Sequence, residues 1–203
     1  MIKNQFYRQI PGDFTFATPY DDIVSVMKNG DTFVEVGSLL GCSITYFTHA
    51  MMEAGKNFNV YAVDSWAGAF DEPNQANLIN SLGGGDGFYN KFLEYMGEAG
   101  IDDIVIPIRR LSVEASKCFD DDSLKGIFLD AGHSYEDIKS DIAAYWPKLK
   151  NGGILAGHDY FYNNGVEKAV QEFLSANRGY VLDFKIYYLS RTWMITKSME
   201  RFD

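Results

Sequence analysis

Residues 33–43 read FVEVGSLLGCS, and the helical spacing of ITYFTHAMMEAG follows at once over residues 44–55. An apolar run that opens onto two glycines and then a helix is a strand–loop–helix unit. Glycine tolerates the backbone angles of a tight turn and lets the main chain approach another group, while the new helix presents unpaired N–H groups at its start. The pattern recurs. Short β-branched runs at NVYAVDS, DIVIPIR, GIFLDA and GGILAGHD alternate with the helix-spaced stretches FYNKFLEYMGEAG, YEDIKSDIAAYWPKL and VEKAVQEFL. Strands that are apolar along their whole length are covered on both faces, so the repeat predicts an α/β fold with a mostly parallel sheet between layers of helices. The last two runs, VLDFKIYYL and SRTWMITK, have only a short polar turn between them. That predicts a closing antiparallel hairpin.

The chain has 203 residues, the size of one compact domain, and neither a repeat nor a composition shift divides it. Two segments stand outside the βα pattern. Residues 1–30 form an N-terminal cap segment, with a helix expected at YDDIVSVMKNG and ended by Gly30. Residues 67–87, AGAFDEPNQANLINSLGGGDG, are polar and glycine-rich and read as a flexible crossover loop or a lid. A formal charge of -10 opposes the basic footprint that phosphate backbones and anionic lipid surfaces require, so neither a nucleic acid nor a membrane is an expected partner. The N-terminal stretch lacks the apolar core of a signal peptide and no run reaches membrane-spanning length, which makes the cytoplasm the expected location. The two cysteines, Cys42 and Cys118, lack CxxC spacing and read as reduced thiols.

In an open parallel sheet, ligands bind beyond the carboxyl ends of the strands, so the residues just after each strand carry most weight. Those after the first are Gly37, Ser38, Gly41 and Ser43, with Glu35 still on the strand. After the second comes Asp64, a carboxylate placed to accept hydrogen bonds from the two hydroxyls of a ribose. A dinucleotide fold would need GxGxxG with its acid about 20 residues on. Here the pattern is ExGxxxG, and Asp64 lies 27 residues beyond Gly37.

These residues resemble the class I S-adenosylmethionine-dependent methyltransferases, whose first motif has the form E/D-x-G-x-x-x-G-x-S and whose second strand ends in a ribose-binding acid. The resemblance runs from about residue 30 to the WMITK strand. It implies a Rossmann-like, doubly wound sheet of seven strands with the last one antiparallel. The stretch FLDAGHSYEDIKSDIAAYWPKLKNGGILAGHDYFYNNGVEKAV resembles a narrower group, the metal-dependent O-methyltransferases related to macrolide-sugar methyltransferases and cephalosporin-hydroxylase-like proteins. By that resemblance Asp130 and Asp159 would hold a divalent cation, most often magnesium, with Asp130 also beside the cofactor and His133 beside the acceptor hydroxyl. His158 stands where the group often has a second carboxylate. An imidazole among the ligands would tilt preference toward manganese or another transition metal. Ser112 falls where the larger family tends to contact the adenine, and from the bare sequence it reads as a helix N-cap. Trp66, two residues past Asp64, could lie against the cofactor or pack in its loop.

Such residues belong together chemically. A sulfonium methyl donor is already activated, whereas a sugar or phenol hydroxyl is a poor nucleophile until its proton leaves. A bound cation lowers the hydroxyl pKa, and an imidazole accepts the proton. The expected function is therefore methylation of a small-molecule hydroxyl. Its acceptor pocket would be built from residues 1–30 and 67–90, whose aromatics include Phe14, Phe16, Tyr20, Phe70, Phe88 and Tyr89. Helix capping is the competing role for Asp130 and Asp159, and a homo-oligomer stays open. A nicotinamide oxidoreductase and a non-catalytic nucleoside-binding module are the rival functions.

Overall fold

The computed structural model describes residues 5–68, 73–161, 164–198 and 200. Its single sheet has seven strands. β1 (Thr32–Val36), β2 (Asn59–Asp64), β3 (Val105–Arg109), β4 (Leu124–Leu129) and β5 (Leu149–Gly157) are parallel, whereas β7 (Thr192–Lys197) runs antiparallel to β5 and to the edge strand β6 (Val181–Tyr187). The order is β3-β2-β1-β4-β5-β7-β6. Direction of travel reverses between β1 and β4, which opens a crevice above their carboxyl ends.

Each strand alternates its side chains between two helical layers. Phe33 and Glu35 of β1 point toward α1 (Ala17–Val26), α2 (Cys42–Glu53) and α4 (Gly84–Glu98), where Tyr20, Phe47 and Phe92 are fully buried. Val34 and Val36 point the other way, into a second core with Ile138 and Ile142 of α6 (Tyr135–Tyr145) and Val166 and Val170 of α7 (Asn164–Ala176). A short helix, α5 (Ser112–Ala115), follows β3. Among the described residues no helix is long and apolar enough to cross a membrane, and both cysteines are free.

Two sequence expectations need correction. The first helix starts at Ala17 and stops at Val26, short of Gly30. The Lys56 ammonium, from across the layer, donates to the carbonyls of Val24, Ser25 and Met27 at 2.7, 2.8 and 2.9 Å, so a distant cation terminates the helix where a glycine cap was expected. Residues 67–87 are not a structureless loop. They contain α3 (Pro73–Ser81) and the start of α4, with Leu82 and Gly83 between the two helices and Gly83 and Gly84 at φ 89° and 84°. Phe88 is buried in the core, while Phe70 lies outside the described residues.

The crevice depends on Gly37. Its N–H donates to the Val63 carbonyl at 2.8 Å, and the next strand over answers, with Asp130 N–H donating to the Val36 carbonyl at 2.8 Å. Gly37 has φ 92°, and a β-carbon there would overlap the Asp130 carbonyl oxygen. Gly37→Ala should therefore lower unfolding stability by about 3 kcal/mol or more in urea titration, from left-handed strain plus a backbone clash. Gly55→Ala, with positive φ but nothing near its added carbon, should cost only about 1–2 kcal/mol. Equal losses would mean that strain alone, and not contact with β4, constrains Gly37.

Candidate active site

Two cavities meet over the crevice. The larger, about 540 Å³, runs from Gly37 and Leu39 past Asp64 to Ser112 and Asp141. The smaller, about 420 Å³, is lined by Ser38, Ser43, Asp130, His133, His158, Asp159 and Arg191. Gly37, Leu39 and Asp130 belong to both, so whatever occupies one cavity touches the other across the ends of β1 and β4.

Asp64 braces the loop after β1. Its Oδ2 accepts the Leu39 N–H at 2.9 Å and its Oδ1 the Trp66 N–H at 2.7 Å, which leaves further lone pairs toward the cavity. Burial pushes its carboxyl up while these N–H groups pull it down. Trp66 does not line either cavity. It is fully buried against Tyr89 and Phe92, and its indole N–H donates to the Leu39 carbonyl at 2.7 Å. It thus holds the loop from behind rather than facing a cofactor. Gly41, at φ 92°, precedes α2 and completes the turn.

Glu35 is 1% exposed and accepts a short hydrogen bond from the Tyr20 hydroxyl. Its Oε1 and the neighbouring Ser38 hydroxyl are buried without a hydrogen-bond partner among the described residues. Burial pushes the Glu35 carboxyl up to about 7, against the lowering influence of the Tyr20 hydroxyl.

The smaller cavity gathers the histidines. His133 Nε2 is 3.2 Å from Asp159 Oδ2, and one ligand atom from each of Asp130, His133 and Asp159 lies within 4.8 Å of the others. Capping does not explain Asp130, because Ser134 caps α6 and accepts the Asp137 N–H. Asp159 adopts φ 58°, an uncommon conformation that aims its carboxylate back at His133 and His158.

His158, the third candidate ligand, sits between the two carboxylates and Thr15. Its Nδ1 is 3.4 Å from both Asp130 Oδ1 and Asp159 Oδ1, and its Nε2 is 3.3 Å from the Thr15 hydroxyl. Both ring nitrogens are engaged by the protein. Burial disfavours its charge, but hydrogen bonds and charges from Asp130 and Asp159 outweigh that and raise its pKa to about 10. His49 is set apart from both cavities, its ring nitrogen 3.1 Å from the Ala99 carbonyl.

Sequence reasoning missed Asp141 and Arg191. Ser112 is not an N-cap: it is the first residue of α5, and its hydroxyl donates to Asp141 Oδ1 at 2.5 Å. Ser112 and Asp141 stand 29 positions apart with no readable pattern linking them, so only the packing of α5 on α6 exposes the pairing. Arg191 lies in the turn between β6 and β7 with its guanidinium 4.0 Å from Asp159.

A seven-stranded sheet with a reversed β7, a glycine loop after β1 and an acid after β2 define a Rossmann-like methyltransferase fold. The chain belongs to the methyltransferase-domain family, whose model matches residues 34–160. Similar solved structures include the O-methyltransferase NovP (16% identity over 90% of this chain and 79% of that one, TM-score 0.65). A protein from Corynebacterium glutamicum aligns with 14% identity over 97% and 87%, TM-score 0.64, and a rRNA methylase from Streptococcus thermophilus with 13% over 92% and 95%, TM-score 0.58. Identities this low carry the fold alone. No curated protein matches the chain.

Glu35 gives the site a pH signature. From the ordinary 4.5 up to about 7, the folded protein keeps a proton on Glu35 that the unfolded chain releases, so this residue's contribution to stability falls as pH rises through that window. Glu35→Gln should remove the dependence. Urea denaturation at pH 4.5 and 7.5 should show the variant gaining on the wild type as pH rises, and a constant difference would place the Glu35 pKa in the ordinary carboxylate range.

Proposed function

We propose that the protein transfers the methyl group of S-adenosylmethionine to a hydroxyl of a small molecule, sugar or phenol-like, assisted by a divalent cation held by Asp130 and Asp159. The observation that carries this reading is the convergence of Asp130, His133 and Asp159 in a cavity that shares Gly37 and Asp130 with a nucleoside-sized one. In-line displacement needs donor and acceptor on opposite sides of the moving methyl, and two cavities meeting at one border supply that arrangement.

The residues present fit both groups. S-adenosylmethionine would supply an activated methyl; Asp64 has lone pairs for its ribose hydroxyls, and the unpartnered Ser38 hydroxyl and Glu35 Oε1 are polar atoms that a ligand's donors could satisfy. A cation would supply Lewis acidity at the acceptor hydroxyl. Asp130 and Asp159 are two carboxylates, a set that suits magnesium. His133 takes the hydroxyl proton, with Asp159 orienting its ring. The imidazolium of His158 holds the two carboxylates at one spacing.

A net charge of -10 favours a small acceptor and a cationic sulfonium over a polynucleotide, although a rRNA methylase shares the fold. The oxidoreductase alternative lacks its glycine fingerprint, and a non-catalytic module would have no use for the converged triad.

S-adenosylhomocysteine at about 100 times its dissociation constant should stabilise the protein by about 2.7 kcal/mol, seen as a raised melting temperature. Asp64→Ala should abolish most of that shift beyond any loss in the unliganded protein. An undiminished shift would remove Asp64 from the ribose site.

For the cation, manganese titration by calorimetry should show one site, lost in Asp159→Asn, and chelator should suppress turnover of an accepted hydroxyl substrate. His133→Asn should leave cofactor affinity intact while lowering kcat by roughly 100-fold to 10,000-fold. Full turnover in excess chelator would sink the metal role.

A further inference from the structure

We propose that β6, the outermost strand of the sheet, pairs edge to edge with β6 of a second copy of this chain, giving a two-fold dimer with one continuous sheet through both subunits. β6 lines neither cavity, so this contact stands apart from the readings of cofactor and cation.

The two edges of the sheet differ. β3 carries Pro107, which has no N–H to offer a further strand. β6 contains no proline, and among the described residues no strand pairs with its outer side. Exposed apolar side chains gather along it: Leu182 is 56% exposed, and the turns at the two ends of the strand carry Tyr180 and Tyr188 at 42% and 71%. An open strand edge flanked by apolar surface is a template for association.

The order of side chains on β6 selects a second copy as the partner. Residues 182–186 read LDFKI, which is complementary to itself when two such strands run antiparallel about a two-fold axis at Phe184. Asp183 then opposes the partner's Lys185 and Lys185 the partner's Asp183, while Leu182 opposes the partner's Ile186 and the two Phe184 rings meet at the axis. Phe184 and Ile186 already pack on the core beneath α6 and α7, so that side of the joint is apolar. Asp183 and Lys185 are half-exposed and 3.6 Å apart within the strand, so pairing sets four charges in alternating sign. A lysine on an edge strand ordinarily deters another strand from adding. Here it is matched by an acid at the symmetric position, which admits this chain and turns away strands without that acid. The irregularity in the register of β6 with β7 falls between Val181 and Asp183, which leaves residues 183–187 regular. Beyond them Tyr188 comes beside the partner's Tyr180, covering the two exposed rings.

The test is the mass of the full chain in solution, measured by analytical ultracentrifugation over a concentration series up to about 100 µM, which covers micromolar and tighter dissociation constants. Wild type should sediment as a species of twice 22.9 kDa. Asp183→Lys and Lys185→Asp each place like charges opposite one another at both symmetric positions, and each should weaken dimerisation at least about 10-fold. Far-UV circular dichroism should stay that of the wild type, because both side chains are half-exposed. The two variants mixed should pair with each other, since every contact between positions 183 and 185 then joins a lysine to an aspartate, and the chain carrying both substitutions should dimerise as the wild type does. A monomeric wild type overturns the inference. So do single variants that dimerise as tightly as wild type, or a mixture of the two that stays monomeric.

Discussion

The contact between the end of β1 and the end of β4 governs the rest of this molecule. A residue with a β-carbon at position 37 would push the two strands apart at the point where the sheet order reverses. Because Gly37 has none, the main chain of β1 lies against the Asp130 carbonyl, and the carboxylate of Asp130 reaches the border of both cavities. The separation between the two cavities is thereby set by backbone packing, which is stiffer than any side-chain contact. Gly157 repeats the device one strand further on, where an added carbon would meet the Leu129 carbonyl and the Trp193 ring, and it brings His158 and Asp159 up beside Asp130.

Around that contact the protein buries acids that an ordinary core would exclude. Glu35, Asp64 and Asp141 all have raised pKa values, with burial as the largest cause in each. Each is restrained differently: Glu35 by the Tyr20 hydroxyl, Asp64 by backbone N–H groups of its own loop and of the loop after β1, Asp141 by Ser112. In a low-dielectric wall a fixed carboxylate interacts strongly with whatever donor enters, and half-satisfied polar groups are costly until something does.

The smaller cavity is built on opposed charge. Asp130 and Asp159 face each other across His158, whose imidazolium keeps them together, while His133 and Arg191 approach Asp159 from other elements. Four separate segments contribute: the strand ends after β4 and β5, the turn before β7, and Thr15 in the chain ahead of α1. The two carboxylates and His158 stand directly at the ends of β4 and β5, where the sheet fixes their main chain.

The sequence by itself determined the sheet, the reversed last strand and the glycine loop, and it singled out Asp64, Asp130, His133 and Asp159 by their places at strand ends, because period-2 and period-3.6 patterns and strand-end positions are local properties written in consecutive residues. It misread or left open features that depend on partners far along the chain. The end of α1 is set by Lys56, thirty residues after it; Trp66 turns inward because Leu39 offers a carbonyl; Ser112 pairs with Asp141 because α5 packs on α6. His158 is the clearest case. Position next to Asp159 made it a ligand candidate, but which way an imidazole points, and whether its nitrogens are already taken, is decided only when Thr15 and Asp130 arrive on either side of it. Residue type and spacing carry the choice of chemistry, whereas the direction of a side chain follows from packing, and packing belongs to the tertiary structure.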